Sequence, residues 1–114
     1  MIDALLVGAG GVCGALARHL VGEAADAEVA DTLAVNLVGS FALGALVAAP
    51  VDPATLRFLG VGFCGALTTF SSFAFETVRL AEGGEPGRAA GNAAANLVGA
   101  LLAVGLGGLV GAAV

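Results

Sequence analysis

Hydrophobic positions along the 114-residue chain fall into four long blocks, at about 3 to 22, 31 to 49, 54 to 80 and 88 to 113. Each reaches roughly the 20 residues an α-helix needs to cross about 30 Å of hydrocarbon at about 1.5 Å per residue. Four transmembrane helices are therefore expected. The connections are short and punctuated: an acidic stretch from Glu23 to Asp31, Pro50 to Pro53 with Asp52-Pro53 starting the third helix, and Glu82-Gly83-Gly84-Glu85-Pro86-Gly87. They leave no room for a soluble domain, so residues 1–114 read as one membrane domain.

The third block departs from a plain span. From Gly62 to Glu76 it carries four hydroxyls, Thr68, Thr69, Ser71 and Ser72, among four phenyl rings. Gly60, Gly62 and Gly65 weaken the helix just before those hydroxyls, which compete for backbone carbonyls. A break near 65 to 69 is expected. Broken backbone at membrane depth survives only when buried in protein or lining a cavity, where freed carbonyls can serve a small cation. The other reading is a kinked helix with back-bonded hydroxyls and no ion.

Composition narrows the class. With 59% hydrophobic and 11% charged residues and a mean hydropathy of +1.03, the chain holds under half the roughly 25% charge of a soluble domain. It lacks Trp and Tyr and holds 19 glycines, so the usual interfacial aromatics are absent and small residues must dominate helix contacts. Candidate contacts are Gly10 with Gly14, Ser40 with Gly44, Gly91 with Ala95 and Gly99, and Gly107 with Gly111. Nine acidic residues against four Arg, a net charge of −5, exclude a nucleic-acid partner, which requires a basic patch. Loops this acidic fit a high-salt environment, as a hypothesis. Cys13 and Cys64 sit in apolar runs without metal-ligand spacing and read as buried free thiols. Met1-Ile2-Asp3 leads straight into the first span, without the basic start of a cleaved leader. Arg57 falls with both termini, opposite Arg18, Arg79 and Arg88, so the orientation bias is weak.

The candidate chemistry is polar and uncharged. Phe70 and Phe73, three apart, fall on one helical face; two ring edges can line an anion route, and ordinary packing is the competing reading. Asn36, Asn92 and Asn96 lie within the second and fourth spans. Their amides either replace water around an anion or bond the helices together, and Asn92, nearer the end, leans to an aqueous mouth. Arg18 either snorkels to the interface or forms an electropositive vestibule, and His19 is interfacial. Glu76 is a functional candidate as a membrane carboxylate, with an ion pair to Arg79 as the plainer account. No nucleotide loop, His or Cys cluster, or Ser/His/Asp set is present. No carboxylate lies deep in spans one, two or four, so passive conduction is the simplest transport mode and no enzyme activity is expected.

GAGGVCGALARH in the first span, DTLAVNLVGSFALG in the second, GFCGALTTFSSFAFE in the third and GNAAANLVG opening the fourth resemble the small fluoride channels called Fluc or CrcB, over essentially the whole chain. The resemblance implies an all-α integral membrane protein of the plasma membrane: four helices, the third broken, in an antiparallel, dual-topology dimer. The partner would be an identical chain or a related one. Two pores at the subunit interface would pass fluoride out of the cell down its electrochemical gradient. The resemblance further implies a structural sodium held by the carbonyls of Gly65 and Thr68, pore phenylalanines at Phe70 and Phe73, a pore amide at Asn36 and a vestibule arginine at Arg18. The polar track of the family's fourth helix would start at Asn92 and Asn96, but Ala100 stands where many members carry a hydroxyl.

Two rivals share parts of the pattern. A four-helix multidrug antiporter needs a carboxylate in the first span, and none lies between Ala4 and Gly22. A Gly-rich ring subunit of a rotary ATPase would not need four spans or an interrupted third helix.

Overall fold

A computed structural model describes residues 1–26 and 28–114. Every regular element of the described residues is a helix, and four stretches are long and apolar enough to cross a membrane: Ile2–Ala24, Val29–Ala48, Pro53–Glu82 and Pro86–Ala112. The molecule extends 48 Å along its long axis, enough to cross the roughly 30 Å hydrocarbon layer. We call the first two helices α1 (Ile2–Ala24) and α2 (Glu28–Ala48). The third span divides into α3 (53–67) and α4 (Ser71–Glu82), and the fourth is α5 (Pro86–Ala112).

The ends of the elements follow local chemistry. Asp52 caps α3: its carboxylate accepts the Thr55 N–H at 3.0 Å and the Thr55 hydroxyl at 2.6 Å, and Pro53 needs no donor there. These bonds, the Thr55 hydroxyl first, hold the Asp52 carboxyl below its ordinary value. After α4 the chain turns through Gly84 at φ +84°, the one described residue with positive φ. That conformation suits glycine and lets the Glu85 N–H close on the Leu80 carbonyl at 3.0 Å.

Two seams organise the bundle, α1 against α3 and α2 against α5. Both rest on glycines at backbone contact. A Cβ on Gly10 or Gly14 would run into the carbonyl oxygens of Phe58 or Phe63, and one on Gly62 would meet Val7 and Gly10. Across the second seam a Cβ on Gly44 would strike the Val104 carbonyl, one on Gly107 that of Phe41, and one on Gly111 that of Ala45. The expectation of small-residue contact holds at these positions and not at Gly91, where no atom comes near. Ion pairing joins the ends of α1 and α3 through Arg57 and Asp3 at 3.3 Å, which puts Arg57 beside the N-terminus as the span count requires.

The loosening expected around Gly60 and Gly62 takes the form of a widened helix. Residues Leu56–Cys64 of α3 form a π-helix, and the ladder then returns to α-helical geometry over Gly65–Leu67. The break follows at residues 68–70, overlapping the C-terminal end of the 65 to 69 region anticipated from the glycine and hydroxyl pattern and reaching one residue beyond it, while 65–67 stay helical. Thr68 is extended, at φ −78° and ψ 157°, and Ser71 begins α4. Both cysteines are free, and Cys64 is buried as expected; Cys13 is instead exposed, at the flank of the Gly10–Gly14 face that packs on α3.

Candidate functional site

The break is held from across the bundle. Asn36 in the middle of α2 meets the backbone of Thr69 at two points: its Oδ1 accepts the Thr69 N–H at 2.8 Å and its Nδ2 donates to the Thr69 carbonyl at 3.1 Å. A backbone N–H can only donate and a carbonyl only accept, so this two-point contact fixes which way the amide faces. Asn36 thereby supplies to Thr69 what the interrupted ladder withholds.

That orientation propagates. Asn36 Nδ2 also donates to Asn96 Oδ1 at 3.0 Å, so Asn96 turns its own Nδ2 toward the carbonyl and Oδ1 of Asn92, at 3.0 and 3.1 Å. Asn92 Nδ2 donates to the Thr77 hydroxyl at 2.9 Å, and that hydroxyl donates to the Phe73 carbonyl at 2.8 Å. A single directed chain thus ties α2, the break, α5 and α4 together. Residue types had left amide glue and pore lining open; here the three amides bond one another and the backbone. Asn92, expected near an aqueous mouth, is buried at the α4–α5 contact. Sequence reading missed Thr77 as the chain's terminus and Thr32, whose buried hydroxyl donates to Glu76 Oε1 at 2.7 Å. Thr77 lies one residue after Glu76 and one turn after Phe73, a position that could have suggested it.

At the break, the amides that could close the ladder on the Gly65 carbonyl go elsewhere. The Thr68 N–H bonds Cys64 and the Thr69 N–H bonds Asn36. The Ser72 N–H, which would otherwise serve the Thr68 carbonyl, takes the Thr69 hydroxyl at 3.2 Å. The Thr68 carbonyl keeps a long contact from Arg18 Nη1 at 3.5 Å. Two released carbonyls, on residues 65 and 68, suit a hard monovalent cation, whose ligands are oxygens. The Arg18 contact places positive charge on the same oxygen, a repulsion that a bound cation would have to overcome.

Arg18 also lines a cavity of about 350 Å³ with His19, Asp31, Thr32, Thr69 and Ser72. On the other side of the break, a groove of about 540 Å³ runs between α2, α3 and α5. Its polar side chains are Asn36, Ser40, Cys64, Thr68, Thr69 and Asn96, and its apolar wall includes Phe70, Phe73, Leu97 and Ala100. Phe70 and Phe73 form a pair with centroids 5.7 Å apart and planes at 59°, the tilted arrangement that presents ring edges. Phe70 is 78% exposed. Its ring therefore leaves the body of the chain, although it stands before α4 rather than within a helix as the three-residue spacing suggested. Arg18, Gly65, Thr68, Asn36, Asn96, Phe70 and Phe73 are thus gathered around one break, and Asn92 lies one bond further away.

Known proteins resemble the chain over nearly its whole length. A family model described as "CrcB-like protein, Camphor Resistance (CrcB)" matches residues 5–108. A relative from Natronomonas pharaonis, named "Fluoride-specific ion channel FluC 2", is 52% identical over 113 residues, covering 99% of this chain and 97% of its own. Another from Halobacterium salinarum, "Fluoride-specific ion channel FluC 1", is 49% identical over 90% of this chain and 88% of its own. A third from Methanocaldococcus jannaschii, "Fluoride-specific ion channel FluC", is 41% identical over 98% and 96%.

Proposed function

The chain belongs to the CrcB family, and from that membership we propose that it is a fluoride-selective channel that passes the anion passively out of the cell across the plasma membrane. What carries the reading is identity of 41–52%, over nearly its whole length, to relatives named as fluoride-specific ion channels. The chemistry of the groove supports it. Fluoride is small and strongly hydrated, so a route through hydrocarbon must replace its water without trapping it on a fixed positive charge. Phenyl edges do this weakly, and Phe70 and Phe73 present a tilted pair at the groove. Arg18, in the cavity behind the break, draws anions inward. Asn36, with Asn96 and Asn92 behind it, holds the pore wall in register.

The open groove also calls for a partner. Asn36, Ser40, Thr68 and Thr69 line it at mid-depth, and irregular backbone is tolerated there only when covered by protein or lining a water-filled space. A second copy or a close paralogue, inserted upside down, would cover it and generate two related routes at the interface. The weak charge bias between the two ends fits such dual insertion. Relatives named FluC 1 and FluC 2 make a paralogous partner a natural second possibility. The carbonyls of Gly65 and Thr68 would hold a sodium ion at the centre of that dimer, where its charge would steady the two breaks.

Purified protein in liposomes tests this reading. Fluoride efflux with retention of chloride is expected. Phe70→Ile should slow efflux, since it removes the ring edge. Asn36→Asp should slow it as well, since a carboxylate cannot donate to Thr69 or Asn96 and repels the anion. Chloride passing as readily as fluoride would refute the assignment, and chemical crosslinking of the chain expressed alone separates a homodimer from an obligate heterodimer.

A further inference from the structure

Almost every polar hydrogen in the groove is already committed. Both amide hydrogens of Asn36 go to Thr69 and Asn96, and those of Asn96 go to Asn92. The Thr68 hydroxyl donates to the Cys64 carbonyl at 3.0 Å, and the Thr69 hydroxyl is engaged with Ser71 and the Ser72 N–H. The Cys64 thiol is a weak donor at best. Ser40 remains. Its hydroxyl makes no hydrogen bond among the described residues, not even the i−4 bond to the Asn36 carbonyl that a helical serine commonly takes.

Ser40 lies one turn beyond Asn36 on α2, as Ala100 lies one turn beyond Asn96 on α5, and both line the groove. The α5 wall therefore offers no donor at this level. An anion moving past the committed amides meets one strong donor to replace lost water, on the opposite wall. We propose that the Ser40 hydroxyl is an anion-binding donor of this groove, taking on α2 the role that Ala100 cannot take on α5. The inference rests on the fluoride-channel reading and adds to it a residue whose spacing with Gly44 suggested only helix packing.

Fluoride efflux from liposomes carrying wild type, Ser40→Ala, Ser40→Thr and the double variant Ser40→Ala with Ala100→Ser tests it. A hydrogen bond to a charged group is worth enough that Ser40→Ala should slow efflux about tenfold or more. Ser40→Thr, which keeps the hydroxyl, should run near wild type, and Ala100→Ser should restore part of the loss, which a merely structural role for Ser40 would not allow. Should Ser40→Ala give no folded protein, Ser40→Cys keeps the volume with a weak donor, and slow efflux is again expected. Wild-type conduction with Ser40→Ala or Ser40→Cys within about twofold of it would overturn the role of Ser40 and leave the channel reading standing. A wild-type chain that passes no fluoride would sink both.

Discussion

The seam between α2 and α5 is built twice, by different means at its two ends. Toward the C-terminus of both helices, Gly44, Gly107 and Gly111 bring backbone against backbone, with no polar side chain involved. Toward their N-termini, Asn36, Asn96 and Asn92 join the same helices by directed hydrogen bonds that run on to Thr69 and Thr77. The glycine end is held by van der Waals contact, which fixes distance but is indifferent to what lies beyond it. The amide end also specifies direction, because its orientation is imposed by the backbone of the break. One end sets how close the helices lie, and the other sets where Thr69 and the two phenylalanines stand.

Removing the head of the amide chain should produce the largest effect. Asn36→Leu leaves the Thr69 N–H and carbonyl without their partner and takes from Asn96 its donor. Each orphaned group costs about 1–3 kcal/mol, so the variant should lose several degrees in a thermal melt in detergent and most of its fluoride efflux. A melt and efflux both within error of wild type would mean that the break does not depend on Asn36. At the glycine end, Gly107→Ala forces a Cβ onto the Phe41 carbonyl, an overpacking that costs about 1–3 kcal/mol because backbone cannot yield as a side chain does. Gly105→Ala is its control, since nothing lies near that position. It should be neutral or stabilise by up to about 1 kcal/mol through helix propensity. Equal melting of the two variants would show that the seam has slack.

These two ends were not equally legible in the sequence. Small residues four apart in an apolar run predict close approach, and Gly10, Gly14, Gly44, Gly107 and Gly111 meet backbone as that rule requires. Asp52-Pro53 announced the start of α3, and three glycines before four hydroxyls announced the break. The π-helical register of Leu56–Cys64 could not be read, because it depends on how α3 lies along α1. Nor could the direction of the amide chain, since it is dictated by Thr69, 33 residues from Asn36. Asn92 was misplaced for a related reason: nearness to a helix end suggested water, whereas Thr77 on α4 covers it.

Further along the chain the expected effect shrinks. Asn92→Ala removes a donor to Thr77 and an acceptor of Asn96 but leaves the contact with Thr69 intact. A loss of about 0.6–2 kcal/mol is expected, the range of interhelical polar contacts in membranes, with a smaller slowing of efflux than Asn36→Leu. Efflux slowed as much as by Asn36→Leu would show that Asn92 touches the permeating ion rather than steadying the wall.

The smallest effect belongs to Asp52, which lies outside both ends of the seam and shows what a solvated local contact contributes by contrast. Its carboxyl is held below the ordinary value of 3.8 by the hydroxyl and N–H of Thr55. A carboxyl whose folded value is lowered contributes stability that is fully present above the unfolded value and is lost as pH falls through the folded one. Melting temperature should therefore be insensitive to Asp52 from neutral pH down to about 5, and its contribution should fade below pH 4. Asp52→Asn, which keeps a capping oxygen but cannot titrate, should flatten that part of the profile while leaving fluoride efflux at neutral pH unchanged. Identical acid profiles for the two proteins would mean that the cap contributes nothing through its charge, leaving the start of α3 to Pro53 and to its seam with α1.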